Sequence, residues 1–348
     1  MSADALAQAI RRLAAHETLD GATLTSAFGV IMRGEATPAQ IAAILMALRV
    51  KGETAAEVAG VVEAMREAMV VLSADAVEEL VDTCGTGGGA LTTFNISTAA
   101  ALLAAGMGVR IAKHGNRSFT SRSGSADVLE ALGVVIDMSP SAMAQTLRDA
   151  GIVFMFAPLM HPALRHAGPV RRELAIPTVM NIVGPLANPA RVGRQVVGVS
   201  ERARLPLIAE TMAVLGTTHA LVVHGEPGMD EISPVGSTAV IEVQNGTLTP
   251  WTIEPAMFGV RDAGIEDLAG GDPSENATLI QAVLRNDGPS AARAAVLLNA
   301  AAAYYVSGRA ISYATAVDAA RAALQAGAGA DALSRLRTAS RRAAGLST

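Results

Sequence analysis

Residues 82–98 read Asp82-Thr83-Cys84-Gly85-Thr86-Gly87-Gly88-Gly89-Ala90-Leu91-Thr92-Thr93-Phe94-Asn95-Ile96-Ser97-Thr98, with four glycines in five positions between a strand-like and a helix-like run. Glycine allows positive φ and lets backbone approach a ligand without an intervening Cβ. Successive backbone N–H groups in such a loop, followed by a helix N-terminus, suit phosphate oxygens. Asn95, Ser97 and Thr98 add polar side chains at the helix start. A tight βα turn with Ser/Thr capping explains less, because one turn does not need four glycines. The loop is no P-loop, since Gly-x-x-x-x-Gly-Lys-Ser/Thr is absent. Gly85-x-Gly87-x-x-Ala90 fits the loose dinucleotide fingerprint. That reading needs a carboxylate about 20 positions on. The next strand, Val109–Ala112, instead runs into Lys113-His114-Gly115-Asn116-Arg117. A basic cluster argues for more phosphate, not for a nicotinamide dinucleotide.

Three further groups of residues could do chemistry. Lys113 through Ser118, with Thr120, Ser121, Ser123 and Ser125 beyond, offers a point charge, a two-sided amide and many hydroxyls. Met229-Asp230-Glu231 follows a strand, where adjacent carboxylates can hold Mg²⁺, a hard cation that often bridges to substrate phosphates. Alone, such a pair is ordinarily a solvated turn. Arg165, Arg171 and Arg172 lie in a proline-rich stretch and could clamp a carboxylate, or pair with neighbours such as Glu173. The histidines show no zinc spacing with Cys84. His219 and His224 flank a strand and read as structural, His161 and His166 are open, and Cys84 reads as packing.

The elements that must position these groups are legible in outline. Residues 4–70 carry only helical periodicity, for example Ile41, Ile44, Leu45 and Leu48, and Thr37-Pro38 looks like an N-cap followed by proline at the first helical position. From about 79 the pattern alternates. Strand-like runs fall at 79–83, 109–113, 151–156, 194–199 and 218–223, with helical patterns at 96–105, 140–149 and 203–215 between them. This predicts a small all-helical domain plus a larger α/β domain with a central, mostly parallel sheet. Runs 238–243 and 247–253 flank Asn245-Gly246, a hairpin signal. Residues 157–193 interrupt the order with six prolines, as a linker, a lid or a crossing between domains. From about 274 the chain is helical and alanine-rich.

Composition bounds the rest. The chain has 348 residues, 51% hydrophobic and 17% charged, which suits a compact globular protein of one large or two moderate domains. No apolar run reaches the roughly 18 residues of a membrane helix, and Met1-Ser2-Ala3-Asp4 lacks a signal-peptide start. The single cysteine excludes an internal disulfide and suggests the cytoplasm. Net charge −5 disfavours a broad nucleic-acid surface. Two basic clusters, at 113–122 and 165–172, suggest small anionic ligands instead.

Taken together, these stretches resemble the anthranilate phosphoribosyltransferases over nearly the whole chain. The resemblance rests on Gly85-Thr86-Gly87-Gly88, Asn95-Ile96-Ser97-Thr98, Lys113 through Arg117, His161-Pro162 through Gly168-Pro169-Val170-Arg171-Arg172-Glu173-Leu174, Gly184-Pro185-Leu186-Ala187-Asn188-Pro189, and Met229-Asp230-Glu231. Each motif is modestly specific, and all of them in this order are highly specific. The resemblance implies a Mg²⁺-dependent glycosyltransferase of tryptophan biosynthesis, usually a cytoplasmic homodimer. It would move the phosphoribosyl group of 5-phosphoribosyl 1-pyrophosphate to the amine of anthranilate. It implies a helical domain over 1–70, joined by part of 157–193, and a donor-binding α/β domain over 71–156 and 194–348.

By resemblance, Gly85, Gly88, Gly89, Thr93, Asn95, Ile96, Ser97 and Thr98 meet the donor. Lys113, His114, Gly115, Asn116, Arg117, Ser118, Phe119, Thr120, Ser121 and Ser125 embrace its phosphates and ribose. Gly85, Asn116 and Arg171 hold anthranilate, with Lys113 and Arg171 carrying catalysis. Ser97 with Glu231, and Asp230 with Glu231, hold up to two Mg²⁺ ions. The family usually has Asp after Gly-Thr-Gly-Gly, and here Gly89 stands there. The alternatives are a pyrimidine nucleoside phosphorylase, which would need neither the acidic pair nor the Arg171 clamp, and a non-catalytic nucleic-acid-binding relative, which should show broad basic stripes.

Overall fold

A computed structural model of the chain describes residues 2–89, 91–118, 122–260 and 264–346. Its N-terminal part is a bundle of α1 (Ser2–Ala14), α2 (Gly21–Met32), α3 (Pro38–Lys51) and α4 (Ala55–Ala68). Asp20, Thr37 and Thr54 begin the last three, each accepting a backbone N–H with its side-chain oxygen. Such caps satisfy amides that the first helical turn leaves orphaned. Pro38 opens α3, where its missing N–H costs nothing.

Strands then alternate with helices. In chain order come β1 (Leu80–Gly85), α5 (Ile96–Gly106), β2 (Arg110–Gly115), α6 (Ser125–Ala131), α7 (Pro140–Ala150), β3 (Ile152–Phe156), α8 (Ala157–Met160), α9 (Gly168–Leu174), β4 (Arg194–Gly198), α10 (Leu205–Val214), β5 (His219–Gly225), β6 (Thr238–Gln244) and β7 (Thr247–Ile253). Helices α11 (Pro273–Leu284), α12 (Ser290–Val306), α13 (Tyr313–Gln325) and α14 (Ala328–Ala343) close the chain. The sheet order is β3-β2-β1-β4-β5-β6-β7, parallel from β3 to β5 and antiparallel beyond. The order reverses at β1, and in open α/β sheets ligands bind at the strand C-terminal ends beside such a reversal.

The period-2 alternation of the strands divides them between two cores. Val196, Leu221 and Val223 face a core built with α5 and α12. Val197, Ala220 and Val222 face the other side, where α10 and the N-terminal bundle share one core. The bundle therefore packs through α4 and α10 onto the sheet side. The proline-rich segment 157–193 crosses back: its turn Pro162–His166 packs on α2, and α9 packs on α3.

Candidate active site

Four neighbouring parallel strands end on glycine, and three of them lie under one loop: β1 on Gly85, β4 on Gly198 and β5 on Gly225. The reason lies just above them. A Cβ added at Gly85 would stand 2.4 Å from Asp230 Oδ2, one at Gly198 1.5 Å from the Asp230 carbonyl oxygen, and one at Gly225 2.4 Å from the Glu231 carbonyl oxygen. The acidic pair thus lies directly across the sheet edge, which only glycine permits. Gly87 and Gly88 take φ of +68° and +74°, the left-handed region. The turn they make brings the Gly87 N–H to donate to Asp230 Oδ2 at 2.9 Å. From α12, Asn299 brackets the residue after the pair: its Oδ1 accepts from Ile232 N at 3.0 Å and its Nδ2 donates to Ile232 O at 2.9 Å. The glycine loop and the acidic pair are one assembly.

Ser97, Asp230, Glu231 and Asn299 line one small cavity under this assembly, with Thr83 and Cys84. Burial pushes the Asp230 carboxyl up, and burial with its acidic neighbour pushes Glu231 well above the carboxylate range. Lys113 is 3% exposed. Its Nζ donates to the Thr83 carbonyl and to Ser97 Oγ, the latter at 3.3 Å. Burial lowers its pKa, against the attraction of Asp82, Glu231 and Asp230. Asp82, fully buried, accepts from His114 N at 3.1 Å and from Asn188 Nδ2 at 2.7 Å. With every group ionised, three carboxylates face one ammonium in a desolvated space, so a divalent cation would balance the cluster. Two carboxylates and a hydroxyl leave half of an octahedral shell free for water and phosphate oxygens, as Mg²⁺ prefers.

The sequence places a basic cluster after β2, and among the described residues each of its basic groups is buried or paired with a carboxylate. Lys113 is buried, and burial drops the His114 pKa to about 3, so the ring is neutral. Arg117 is held by Asp127 at 2.8 Å and Glu130 at 2.6 Å, and Arg122 lies 3.5 Å from Glu275. Asp127 also accepts from Gly124 N at 2.9 Å and Ser118 N at 3.2 Å. It folds the loop so that Ser125 Oγ donates to Asn116 O at 3.2 Å. Phe119, Thr120 and Ser121, like Ala90, lie outside the described residues.

The residues ahead of α5 are likewise tied. Asn95 makes no side-chain cap. Its amide bridges Ser123 O at 3.1 Å and Asn276 of α11 at 3.0 Å. Thr93 pairs with Ala269 as a β-bridge. Ile96 and Thr98 are buried, the Thr98 hydroxyl without a partner among the described residues. From this stretch Ser97 alone brings a side chain to the cavity lined by the acidic pair.

Arg171, on α9, is half-buried and has no carboxylate within ion-pairing reach among the described residues, Glu173 included. Burial alone lowers its pKa. A desolvated guanidinium without a counter-ion is suited to an incoming carboxylate. His161, open from sequence, packs against His114 with ring centroids 5.0 Å apart. Burial takes its pKa to about 4. His219 and His224 are structural: they bond to Glu242 at 2.7 Å and to Val199 O at 2.7 Å. Cys84 sits in packing, its thiol pKa raised well above normal by burial. Asp82, Asn188 and Asn299 escaped sequence reading, because only tertiary structure shows that their polar atoms are buried and spent. A recurring glycine at the last position of strand-like runs was the available signal for Gly198 and Gly225.

Comparison with known proteins agrees with this geometry. Residues 7–69 match the model of the glycosyl transferase family, helical bundle domain, and residues 77–330 that of the glycosyl transferase family, a/b domain. An anthranilate phosphoribosyltransferase of Thermomicrobium roseum is 49% identical over 94% of this chain and 95% of its own. The crystal structure of the Thermus thermophilus anthranilate phosphoribosyltransferase superposes with a TM-score of 0.90 at 39% identity, covering 96% of this chain and 99% of that one. The Saccharomyces cerevisiae enzyme, solved in complex with PRPP and Mg, gives 0.87 at 27% identity over 97% and 98% of the two chains. The chain belongs to the anthranilate phosphoribosyltransferases, within the glycosyl transferase family that joins a helical bundle to an α/β domain.

Proposed function

We propose that this protein transfers the 5-phosphoribosyl group of 5-phosphoribosyl 1-pyrophosphate to the amine of anthranilate, releasing pyrophosphate, in the cytoplasmic synthesis of tryptophan. The observation that carries the reading is the glycine loop bonded to Asp230, with Ser97 and Glu231 around the same cavity over Lys113. Ser97, Asp230 and Glu231 would hold Mg²⁺, as one ion or two, and bound there it neutralises charge on the departing pyrophosphate. Lys113 contributes a fixed buried positive charge beneath that site, which favours anionic charge in the transition state. The loop amides of Gly88 and Gly89, and the backbone and hydroxyls from Asn116 to Ser125, would cradle the donor. Arg171 would take the acceptor's carboxylate and Asn116 its amine side, aiming the nitrogen at the sugar carbon. An aryl amine is weakly basic and sheds its proton readily once attack begins, so no strong protein base is needed. The buried, neutral His114 is unsuited to that role. We take 1–70 with part of 157–193 as the small domain, 71–156 with 194–348 as the large one, and the active form as a homodimer.

The first test mixes protein, anthranilate, donor and Mg²⁺ and follows anthranilate fluorescence. Loss that requires both donor and metal supports the reading. Phosphorolysis of thymidine or uridine in its absence would replace it. The acceptor assignment has its own test. Arg171→Ala removes a charge-assisted hydrogen-bonding group, so the anthranilate KM should rise roughly ten- to hundredfold while the donor KM stays put. Equal changes in both constants would sink the assignment.

A further inference from the structure

The five residues Gly184–Asn188 run between the bundle and the sheet, and several of their polar groups bond to other elements. The Gly184 carbonyl bonds to the His114 ring and the Ala187 carbonyl to the His161 ring. Gln195 Nε2 donates to Pro185 O at 2.8 Å, and Asn188 Nδ2 donates to Asp82 at 2.7 Å and to Ala112 O at 2.9 Å. Leu72 N donates to Pro189 O at 3.0 Å. The segment is a strap nailed to the sheet.

The bundle grips this strap through one reciprocal contact. Arg66 sits in the last turn of α4. An arginine there ordinarily serves its own helix's end carbonyls. Arg66 instead sends NH2 to Leu186 O at 2.9 Å, across 120 residues, and NH1 to Glu63 at 2.9 Å. Its Nε has no partner among the described residues. Burial lowers its pKa, and Arg191 nearby adds repulsion. In return, Arg191 NH2 donates to Arg66 O at 3.3 Å. Arg191 does so from a left-handed backbone, φ +51°, which a side chain rarely adopts. A mostly buried guanidinium, an unmet donor and a strained backbone are unfavourable features gathered at one contact that does not line the cavity of the acidic pair.

We propose that Arg66 and Arg191 are positioning residues for the transfer reaction, a reading that rests on the proposed function. Arg171 stands on α9, which packs on α3 of the bundle. Asn116 follows β2 of the sheet. The clasp between α4 and the strap sets the spacing of these two halves of the acceptor site, while the donor site lies wholly on the sheet side.

Arg191→Gly removes the clasp bond and relieves the left-handed strain, so the fold should hold. Arg66→Lys keeps the charge but replaces the rigid fork whose two arms reach Leu186 and Glu63 with a shorter, single ammonium. In both, the anthranilate KM rises about fivefold, with the donor KM and, for Arg191→Gly, the melting temperature unchanged. Unchanged constants, or equal rises for both substrates, overturn the proposal. If wild type turns over no anthranilate, the reaction fails but the clasp is still read, from hydrogen exchange at the Ala190 amide, which bonds to Asn188 of the strap, and at the Leu72 amide, which bonds to Pro189 beside it. Faster exchange in both variants supports the clasp, and unchanged exchange overturns it.

Discussion

Gly89 is the residue at which this chain parts from its family's usual motif, and its surroundings say what an aspartate there would do. No left-handed backbone is recorded at Gly89, unlike Gly87 and Gly88. A Cβ added there would lie 3.1 Å from Gly228 O and 3.8 Å from Asp230 Oδ1. Gly89→Asp would therefore need only a small shift, and would set a third carboxylate beside one that burial already pushes up. Like charges about 4 Å apart repel by about 1 kcal/mol in water and about 4 kcal/mol near a protein surface. Without metal the variant should melt below wild type. With metal the repulsion turns into attraction, so half-maximal activity should come at several-fold lower Mg²⁺. Paired titrations of rate and melting temperature decide it, and superimposable curves for the two proteins would show that the missing carboxylate is immaterial.

At the scale of elements, the site depends on three strands stopping in glycine under one crossing loop. Gly198 is the tightest, with the Asp230 carbonyl 1.5 Å from where a Cβ would go. Gly198→Ala must lift the loop or bend β4, because backbone rather than a flexible side-chain end occupies the space. Overpacking of this kind costs roughly 1–3 kcal/mol, and it should also abolish the stabilisation by Mg²⁺. Chemical denaturation with and without Mg²⁺ measures both, and a variant that keeps full Mg²⁺ stabilisation would contradict the crossing-loop account. All seven strands are legible in the sequence, since short strand-like runs bounded by turn residues are local signals. The hairpin is too: Asn245 and Gly246 both have positive φ, 49° and 84°, as a tight hairpin turn requires. The short α6 is not, because seven residues carry less than two turns of periodicity. Nor could the fate of Lys113 and Arg117 be read, because sequence shows charge and only packing shows its partners.

Over the whole molecule, bundle and sheet share one core, and the join between them carries a buried pair of rings, His114 and His161. That pair makes the fold sensitive to acid in a definite direction. A free imidazole titrates near 6.5, whereas burial holds His114 at about 3 and His161 at about 4. Below about pH 6.5 the unfolded chain takes up protons that the folded chain refuses. The stability from each ring is therefore fully present above about 6.5 and lost as pH falls toward the folded value, by at most about 1.4 kcal/mol per pH unit. Asp230 and Glu231 act with the opposite sign. Their raised folded pKa values favour the folded state where it still holds their protons, and that advantage is lost as pH rises. The wild-type curve mixes the two effects, so the informative quantity is a difference. His161→Phe leaves the Ala187 carbonyl without its donor, a penalty that does not vary with pH, and it removes one titrating ring. The gap in unfolding free energy between wild type and variant should then narrow by about 1–2 kcal/mol between about pH 6.5 and about pH 5. Parallel curves over that interval would mean that His161 takes up protons equally in the folded and unfolded chain, so that burial does not hold its ring neutral.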